Sequence, residues 1–195
     1  MAAGLSERMG GQIPKQLLPL GGRPLVAVTV MNAVASSLDE VVVVTGHHGD
    51  EVAAAVAGTG AVAVANPDYR QGNMTSLRAA WEALPECEAY LVLLADMPGV
   101  TTAIIDRMVT VWTATQPWAA TAVFTDGRRH PLLLSAAAMS QAVVLTGPKA
   151  VWKLLDAAPQ GTVVTIDFAI PAPLDVNTIA DYEALVSGSR DGSAE

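Results

Sequence analysis

The chain has 195 residues, 51% of them apolar and 15% charged, which is composition for one domain with a substantial core and excludes extensive disorder. A formal net charge of −8 argues against nucleic acid or an anionic membrane as a partner, while leaving room for a small phosphate ligand held by local positive charge. Cys87 is the single cysteine, so neither an internal disulfide framework nor a cysteine-rich zinc site can form. No secretory h-region opens the sequence, and the apolar runs at 41–44 and 90–95 are far below the roughly 20 residues that cross a bilayer. The expectation is a cytoplasmic protein with no membrane or nucleic-acid partner.

In chain order, the glycine-rich opening stretch is followed by a helix over 24–35, with proline near its start. Strands are predicted over 41–45, 61–65, 90–95, 119–124, 132–134 and 162–166. Helices are predicted over 49–56, 74–84, 102–115, 136–143, 149–157 and 179–186. The strands are apolar runs without alternation, as in a sheet covered on both faces. Strand and helix in turn predict a three-layer α/β/α sandwich with a mostly parallel, Rossmann-like sheet. Residues 1–185 read as a single domain, and 186–195, small and polar, as a flexible tail.

Ligands of such sheets bind beyond the carboxyl ends of the strands. Asp96 follows one of these ends, in "ADMPGV", and either ligates a metal or caps a turn. The opening "MAAGLSERMGGQIPK" offers Gly4, Gly10 and Gly11 for close backbone approach, with Ser6, Arg8 and Lys15 as donors and cations. It matches neither the P-loop nor the dinucleotide fingerprint. Asp175 and Asn177 precede the last predicted helix, where they are metal ligands or N-caps, with Thr178 as a competing cap. His47 and His48 read as a turn, the four tryptophans as packing residues, and Cys87 as a poor nucleophile because of its acidic surroundings.

"AAGLSERMG" followed by "PKQLLPLGGRPLV" resembles the signature loop of the MobA-like nucleotidyltransferases. "NPDYRQGNMTSLRAAW", "LLADMPGV", "GRRHPLLL" and "LDVNTIADYEAL" resemble later segments of the same family, so the resemblance runs to about Leu185. It implies a GT-A-like nucleotidyltransferase fold and transfer of a nucleotide from a nucleoside triphosphate to a phosphorylated acceptor, with release of pyrophosphate. Carried over, Lys15, Arg8 and Asp96 are catalytic. Ala3, Gly4, Ser6, Gly10, Gly11, Asn66, Gly72 and Ser76 bind the nucleotide. Arg129, His130 and Lys149 meet the acceptor, and Asp96 with Asp175 or Asn177 holds Mg²⁺.

"AAG" with "LLADMP" looks like the molybdenum cofactor cytidylyltransferases, which implies CTP rather than GTP, a molybdopterin acceptor, and a molybdoenzyme maturation partner. Departures fall on the acceptor side: Arg129 stands where glycine is usual, Pro148 where an acidic residue is usual, and Ile179 where proline is usual. Three alternatives stay open: a molybdopterin guanylyltransferase, a sugar- or alditol-phosphate nucleotidyltransferase, and a nucleotide-binding module without catalysis. Only Met1, Ala2 and Ala3 precede Gly4 where the resemblance implies a whole strand. The first strand therefore reads as truncated, and a short apolar N-terminal extension is expected.

Overall fold

The first three residues lie between two β-strands and join two parts of one sheet. A computed structural model describes residues 1–4 and 14–191. After a short 3₁₀ turn at Lys15–Leu17 come a small hairpin, β1 (Pro19–Leu20) and β2 (Arg23–Pro24), and helix α1 (Leu25–Val34). Then follow β3 (Val42–Thr45), α2 (Gly49–Val56), β4 (Val62–Ala65), α3 (Asn73–Ala83), β5 (Ala89–Val92) and α4 (Thr102–Thr115). The chain closes with β6 (Ala119–Phe124), β7 (Gly127–Ser135), α5 (Ala136–Ala142), α6 (Ala150–Ala157), β8 (Val163–Asp167) and α7 (Ile179–Asp191).

β3 pairs with β4 in parallel, and β5, β7, β6 and β8 form a second ladder in that order. The opening residues connect the two. The Met1 amine donates to the Leu93 carbonyl (2.7 Å), Ala95 N–H to Met1 O (3.1 Å) and Ala2 N–H to Val44 O (2.8 Å). This is parallel pairing on both sides, so the strand sequence is β4, β3, residues 1–3, β5, β7, β6, β8. Setting aside the β1–β2 hairpin, β7 alone among the described strands runs the other way, antiparallel to β5 and β6. Beyond Met1 the facing edges of β3 and β5 border a cavity of about 160 Å³, lined by Val42, Val44, Ala89 and Leu91 among others.

Alternation along the strands divides the core into layers. Leu132 and Leu134 of β7, with Ala119, pack on α3, α5 and α6 through Leu77, Met139 and Leu155. Leu133 and Ala120, one residue over, face α4 through Ile104, Ile105 and Met108. α1 and α2 cover β3 through Val26, Val30, Val52 and Val56. Trp81, Trp118 and Trp152 pack on the first layer and Trp112 on the second, the packing role expected of them.

Three elements differ from the sequence reading. β5 ends at Val92, so Asp96 stands in the turn beyond the strand. "GRRHP", expected as a loop, is part of the nine-residue β7, because a tight turn at Gly127 (φ 121°) folds it directly onto β6. α7 runs on to Asp191, into the polar stretch expected to fray. Among the described residues no helix is long and apolar enough to cross a membrane.

Gly46, just past β3, marks a closely packed point. A Cβ placed there would lie 2.6 Å from the Tyr69 Cβ and 2.8 Å from the Ala3 Cβ, both at the rigid roots of their side chains. Gly46→Ala must therefore push the opening residues or Tyr69 away, at a cost of about 1–3 kcal/mol. Urea unfolding of the variant measures this; a loss below about 0.5 kcal/mol, within the range of an ordinary surface change, would mean the three segments are not packed as described.

Candidate active site

Four chain segments meet at the end of the sheet where the parallel strands finish. Helix α1 fixes the turn after β5: Thr29 Oγ1 donates to Ala95 O (3.2 Å), and Asn32 Nδ2 donates to Pro98 O (3.1 Å) and Val100 O (3.2 Å). Met97 and Val100 are buried beneath that turn, leaving Asp96 at its rim. The Val176 N–H bonds Asp96 O (3.0 Å), which brings the segment holding Asp175 and Asn177 alongside.

Lys15 completes the centre. Its Nζ pairs with Asp96 Oδ2, and it also donates to Val176 O (3.1 Å) and Asn177 Oδ1 (3.3 Å). Gln16, 3% exposed, donates to Ala2 O and Gly4 O (3.3 Å each) and so ties the opening residues to the same place. A cavity of about 320 Å³ lies over this centre, lined by Ala3, Gly4, Lys15, Gly72, Ser76 and Asp96. Tyr69, Arg70 and Asn73 line it as well.

The Asp96 carboxylate suits a hard divalent cation. Asp96 Oδ1 is buried with no hydrogen-bond partner, an oxygen whose desolvation a cation would offset. The last helix begins just beyond Asp175 and Asn177. Thr178 and Asp181 cap it reciprocally, with Thr178 N–H on Asp181 Oδ2 (2.7 Å) and Asp181 N–H on Thr178 Oγ1 (3.2 Å). Among the described residues no cluster of three or more His, Cys, Asp or Glu is gathered, so phosphate oxygens and water would complete the coordination of an ion here.

The sequence-derived candidates divide accordingly. Ala3, Gly4, Lys15, Gly72, Ser76 and Asp96 line one cavity, with Asn177 bonded to Lys15. Asn66 takes a different place. It is 4% exposed, its amide donates to Thr75 Oγ1 (2.8 Å) and Ser76 Oγ (3.0 Å), and its carbonyl accepts from Asp68 N–H (3.0 Å). It thus holds the start of α3 and lies outside the cavity lining. Ser6, Arg8, Gly10 and Gly11 lie outside the described residues.

In the β6–β7 hairpin, Thr121 pairs with Leu132 and Ala122 with Arg129, so His130 and Pro131 bulge from the ladder. His130 meets Trp152 edge to face (5.6 Å) and lines a cavity of about 120 Å³ with Lys149, Trp152 and Met1. Arg129 is not brought there; it is exposed, its Nη1 on Arg128 O (3.0 Å). Arg128 is committed elsewhere, paired with Asp156 and stacked over Trp152 at 4.8 Å. Gln16, Tyr69, Arg70 and Asn73 escaped the sequence reading as site residues. Tyr69 and Arg70 stand inside a quoted motif, and only the folded chain shows that they border the cavity.

His48 sits in left-handed backbone (φ 55°) at the start of α2 and bonds Glu51 (3.1 Å), which fits the turn reading of the histidine pair. Burial and the nearby Glu40 and Asp39 push the Cys87 thiol up, so it is no nucleophile at neutral pH.

A scan against family models matches the MobA-like NTP transferase domain over residues 1–162. The chain belongs to the MobA-like NTP transferase family. A crystal structure of the Mycobacterium tuberculosis Rv0371c homologue from Mycobacterium sp. strain JC1 superimposes with a TM-score of 0.84 at 30% identity, covering 97% of this chain and 94% of that one. Rv0371c of Mycobacterium tuberculosis in complex with manganese aligns at 28% identity and a TM-score of 0.77, covering 95% of each chain. Among curated sequences, the bifunctional protein GlmU of Burkholderia mallei is 37% identical over 108 residues, 55% of this chain and 24% of GlmU. The chain thus covers about a quarter of the length of that relative.

His130 gives this MobA-like domain a pH signature. Burial, and secondarily the Met1 amine, lower its pKa from 6.5 to about 4, so the folded state holds a neutral ring. Below about pH 6.5 the unfolded chain takes up a proton that the folded one refuses. Stability therefore falls as pH drops from about 6.5 to about 4, by at most about 3 kcal/mol from this residue. His130→Gln should flatten that part of the stability curve in urea titrations at each pH. An unchanged slope would show the ring titrating normally.

Proposed function

We propose that this protein is a cytidylyltransferase that transfers CMP from CTP to a phosphorylated acceptor, molybdopterin, and releases pyrophosphate. The observation that carries the reading is the Lys15–Asp96 pair at the rim of the cavity that Ala3, Gly4, Gly72 and Ser76 line. Ala3 beside Gly4, with "LLADMP" after the middle strand, supports cytidine over guanosine through the resemblance to the molybdenum cofactor branch. A CMP-2-keto-3-deoxy-manno-octonic acid synthetase complexed with CTP shares the fold at 15% identity (TM-score 0.77), which supports the fold alone. The protein works in the cytoplasm, next to the maturation of molybdoenzymes.

The reaction is an in-line displacement. A phosphate oxygen of the acceptor attacks the α-phosphorus of CTP, the bond from that phosphorus to the β-phosphate bridging oxygen breaks, and pyrophosphate leaves with the electron pair. No covalent enzyme intermediate is needed, since positioning and charge stabilisation suffice. Lys15 moves from Asp96 to the phosphates and offsets the charge that grows on the leaving group. Arg70 brings a second cation to the rim, and Arg8 is assigned to the same phosphates by the resemblance. Gly4 and Gly72 let the phosphates approach the main chain. Asp96 and Asp175 would hold Mg²⁺, with Asn177 beside them; when bound, the ion supplies charge neutralisation at the phosphates. The manganese complex of Rv0371c supports a divalent ion in a related protein.

Release of pyrophosphate from each of the four nucleoside triphosphates, assayed with molybdopterin and with sugar phosphates, tests the assignment. CTP with molybdopterin should give the highest kcat/KM, and equal use of GTP would remove the cytidine choice. Lys15→Ala should lower kcat by a factor of roughly 10² to 10³; turnover near the parent's would remove Lys15 from the mechanism. Asp96→Asn should raise the Mg²⁺ concentration for half-maximal activity at least tenfold, as expected for loss of a charged ligand worth roughly 1.4 kcal/mol or more. An unaltered metal titration would make Asp96 a turn cap only. Running Asp175→Asn and Asn177→Ala in parallel identifies which of these two also supports the ion.

A further inference from the structure

Between β8 and α7 the chain runs as a strap without regular secondary structure, residues 168–178, which carries Asp175 and Asn177 to the site. The turn between β6 and β7 holds it first. Thr125 N–H donates to Ile170 O (3.0 Å), and Ala172 N–H donates to Asp126 Oδ1 (2.7 Å). Pro173 then packs on Gly99, in the turn that bears Asp96, and Val176 N–H closes the approach on Asp96 O (3.0 Å). Gly99 is not in positive-φ backbone, so alanine can adopt its conformation. What excludes a side chain there is space. A Cβ would lie 3.2 Å from Pro173 Cβ and 3.6 Å from Pro173 Cα, the first inside an ordinary carbon–carbon contact. The two sides of this contact differ in stiffness. The turn is braced: Asn32 Nδ2 holds Pro98 O and Val100 O on either side of Gly99, and Met97, Pro98 and Val100 are buried. The strap is open to solvent at Ile170, Pro171 and Leu174. Pro171 and Pro173 fix φ and keep the residues before them extended, so a push at 173 is passed along the chain rather than absorbed. Only Leu174 separates Pro173 from Asp175.

We propose that Gly99, Pro173 and Asp126 are positioning residues for the divalent ion. They set how far the Asp175 segment stands from Asp96, and through that spacing the affinity of the site. None of the three lines the active-site cavity. The proposal rests on the reading of Asp96 and Asp175 as the residues that hold the ion. A small displacement matters because Mg²⁺ accepts little departure from octahedral geometry, and Mn²⁺ favours the same oxygen donors.

Mn²⁺ is the probe, titrated into the full chain and followed by loss of the free-ion signal in electron paramagnetic resonance, with and without saturating CTP. Gly99→Ala should raise the Mn²⁺ dissociation constant at least about fivefold. Pro173→Gly removes the opposing Cβ and should raise it by less than about threefold. The double variant should return to within about threefold of the parent, because the two substitutions relieve one contact and are not additive. Asp126→Ala, at an exposed position, should weaken Mn²⁺ at least about threefold through the lost hydrogen bond to the strap. Asp126→Asn keeps an acceptor for Ala172 N–H while losing the charge, and should match the parent. In the pyrophosphate assay, Gly99→Ala should shift the Mg²⁺ titration upward and leave kcat at saturating Mg²⁺ close to the parent's, a split that mere loss of stability does not produce. Mn²⁺ affinity unchanged in both Gly99→Ala and Asp126→Ala would overturn the proposal. So would a double variant as weak as Gly99→Ala alone, or a parent that binds no Mn²⁺ in either state. If Gly99→Ala does not fold, the two Asp126 variants decide. Variant-sensitive Mn²⁺ binding in a protein that releases no pyrophosphate would support the positioning role while refuting the nucleotidyl-transfer reading.

Discussion

The parallel pairing of Met1–Ala3 between β3 and β5 is the constraint on which the site depends. Three main-chain hydrogen bonds link two ladders that otherwise share no edge, and they set where Ala3 and Gly4 emerge. Ala3 then packs where Gly46 leaves no room for a side chain, and Gln16 ties the carbonyls of Ala2 and Gly4 to the segment bearing Lys15. The cost is visible in the Met1 amine, which burial pushes down to about 6 despite the attraction of Asp96. Burial favours the neutral amine, whose hydrogen bond to Leu93 O maintains the ladder.

From that fixed point the site is built with few charges. Lys15 meets Asp96, Val176 O and Asn177 at once, so one ammonium joins the start, the middle and the end of the chain. A buried ion pair contributes little net stability, since desolvation offsets the attraction. Its value lies in organisation: it keeps a cation and a carboxylate together at the rim of one cavity. Asp96 Oδ1 keeps no protein donor of its own.

The surroundings of His130 use different physics. His130 is held neutral by burial and faces Trp152, whose ring is clamped by Arg128 and Asp156. Lys149 lines the same cavity, so that wall mixes aromatic and basic groups. The departures from the family pattern at Arg129 and Pro148 fall on β7 and just before α6.

The sequence by itself determined the layer order and most element positions. Apolar runs of 3–6 residues without alternation read as strands covered on both faces, and the resemblance to the MobA-like family tied Lys15, Gly72, Ser76 and Asp96 to phosphate chemistry. What only the tertiary structure decided concerns partners distant in sequence. Asn66 was legible as part of a motif, but its burial against Thr75 and Ser76 makes it a support for α3. Arg128, Arg129 and His130 are consecutive, yet the hairpin and its bulge send them to an ion pair, to solvent and to a cavity wall. Gly99 and Pro173 lie far apart in the chain and carry no joint signal until the strap before α7 folds against the turn that bears Asp96. Local sequence specifies backbone conformation and burial pattern; which side chains share a space depends on strand register and helix packing, set by contacts across the whole chain.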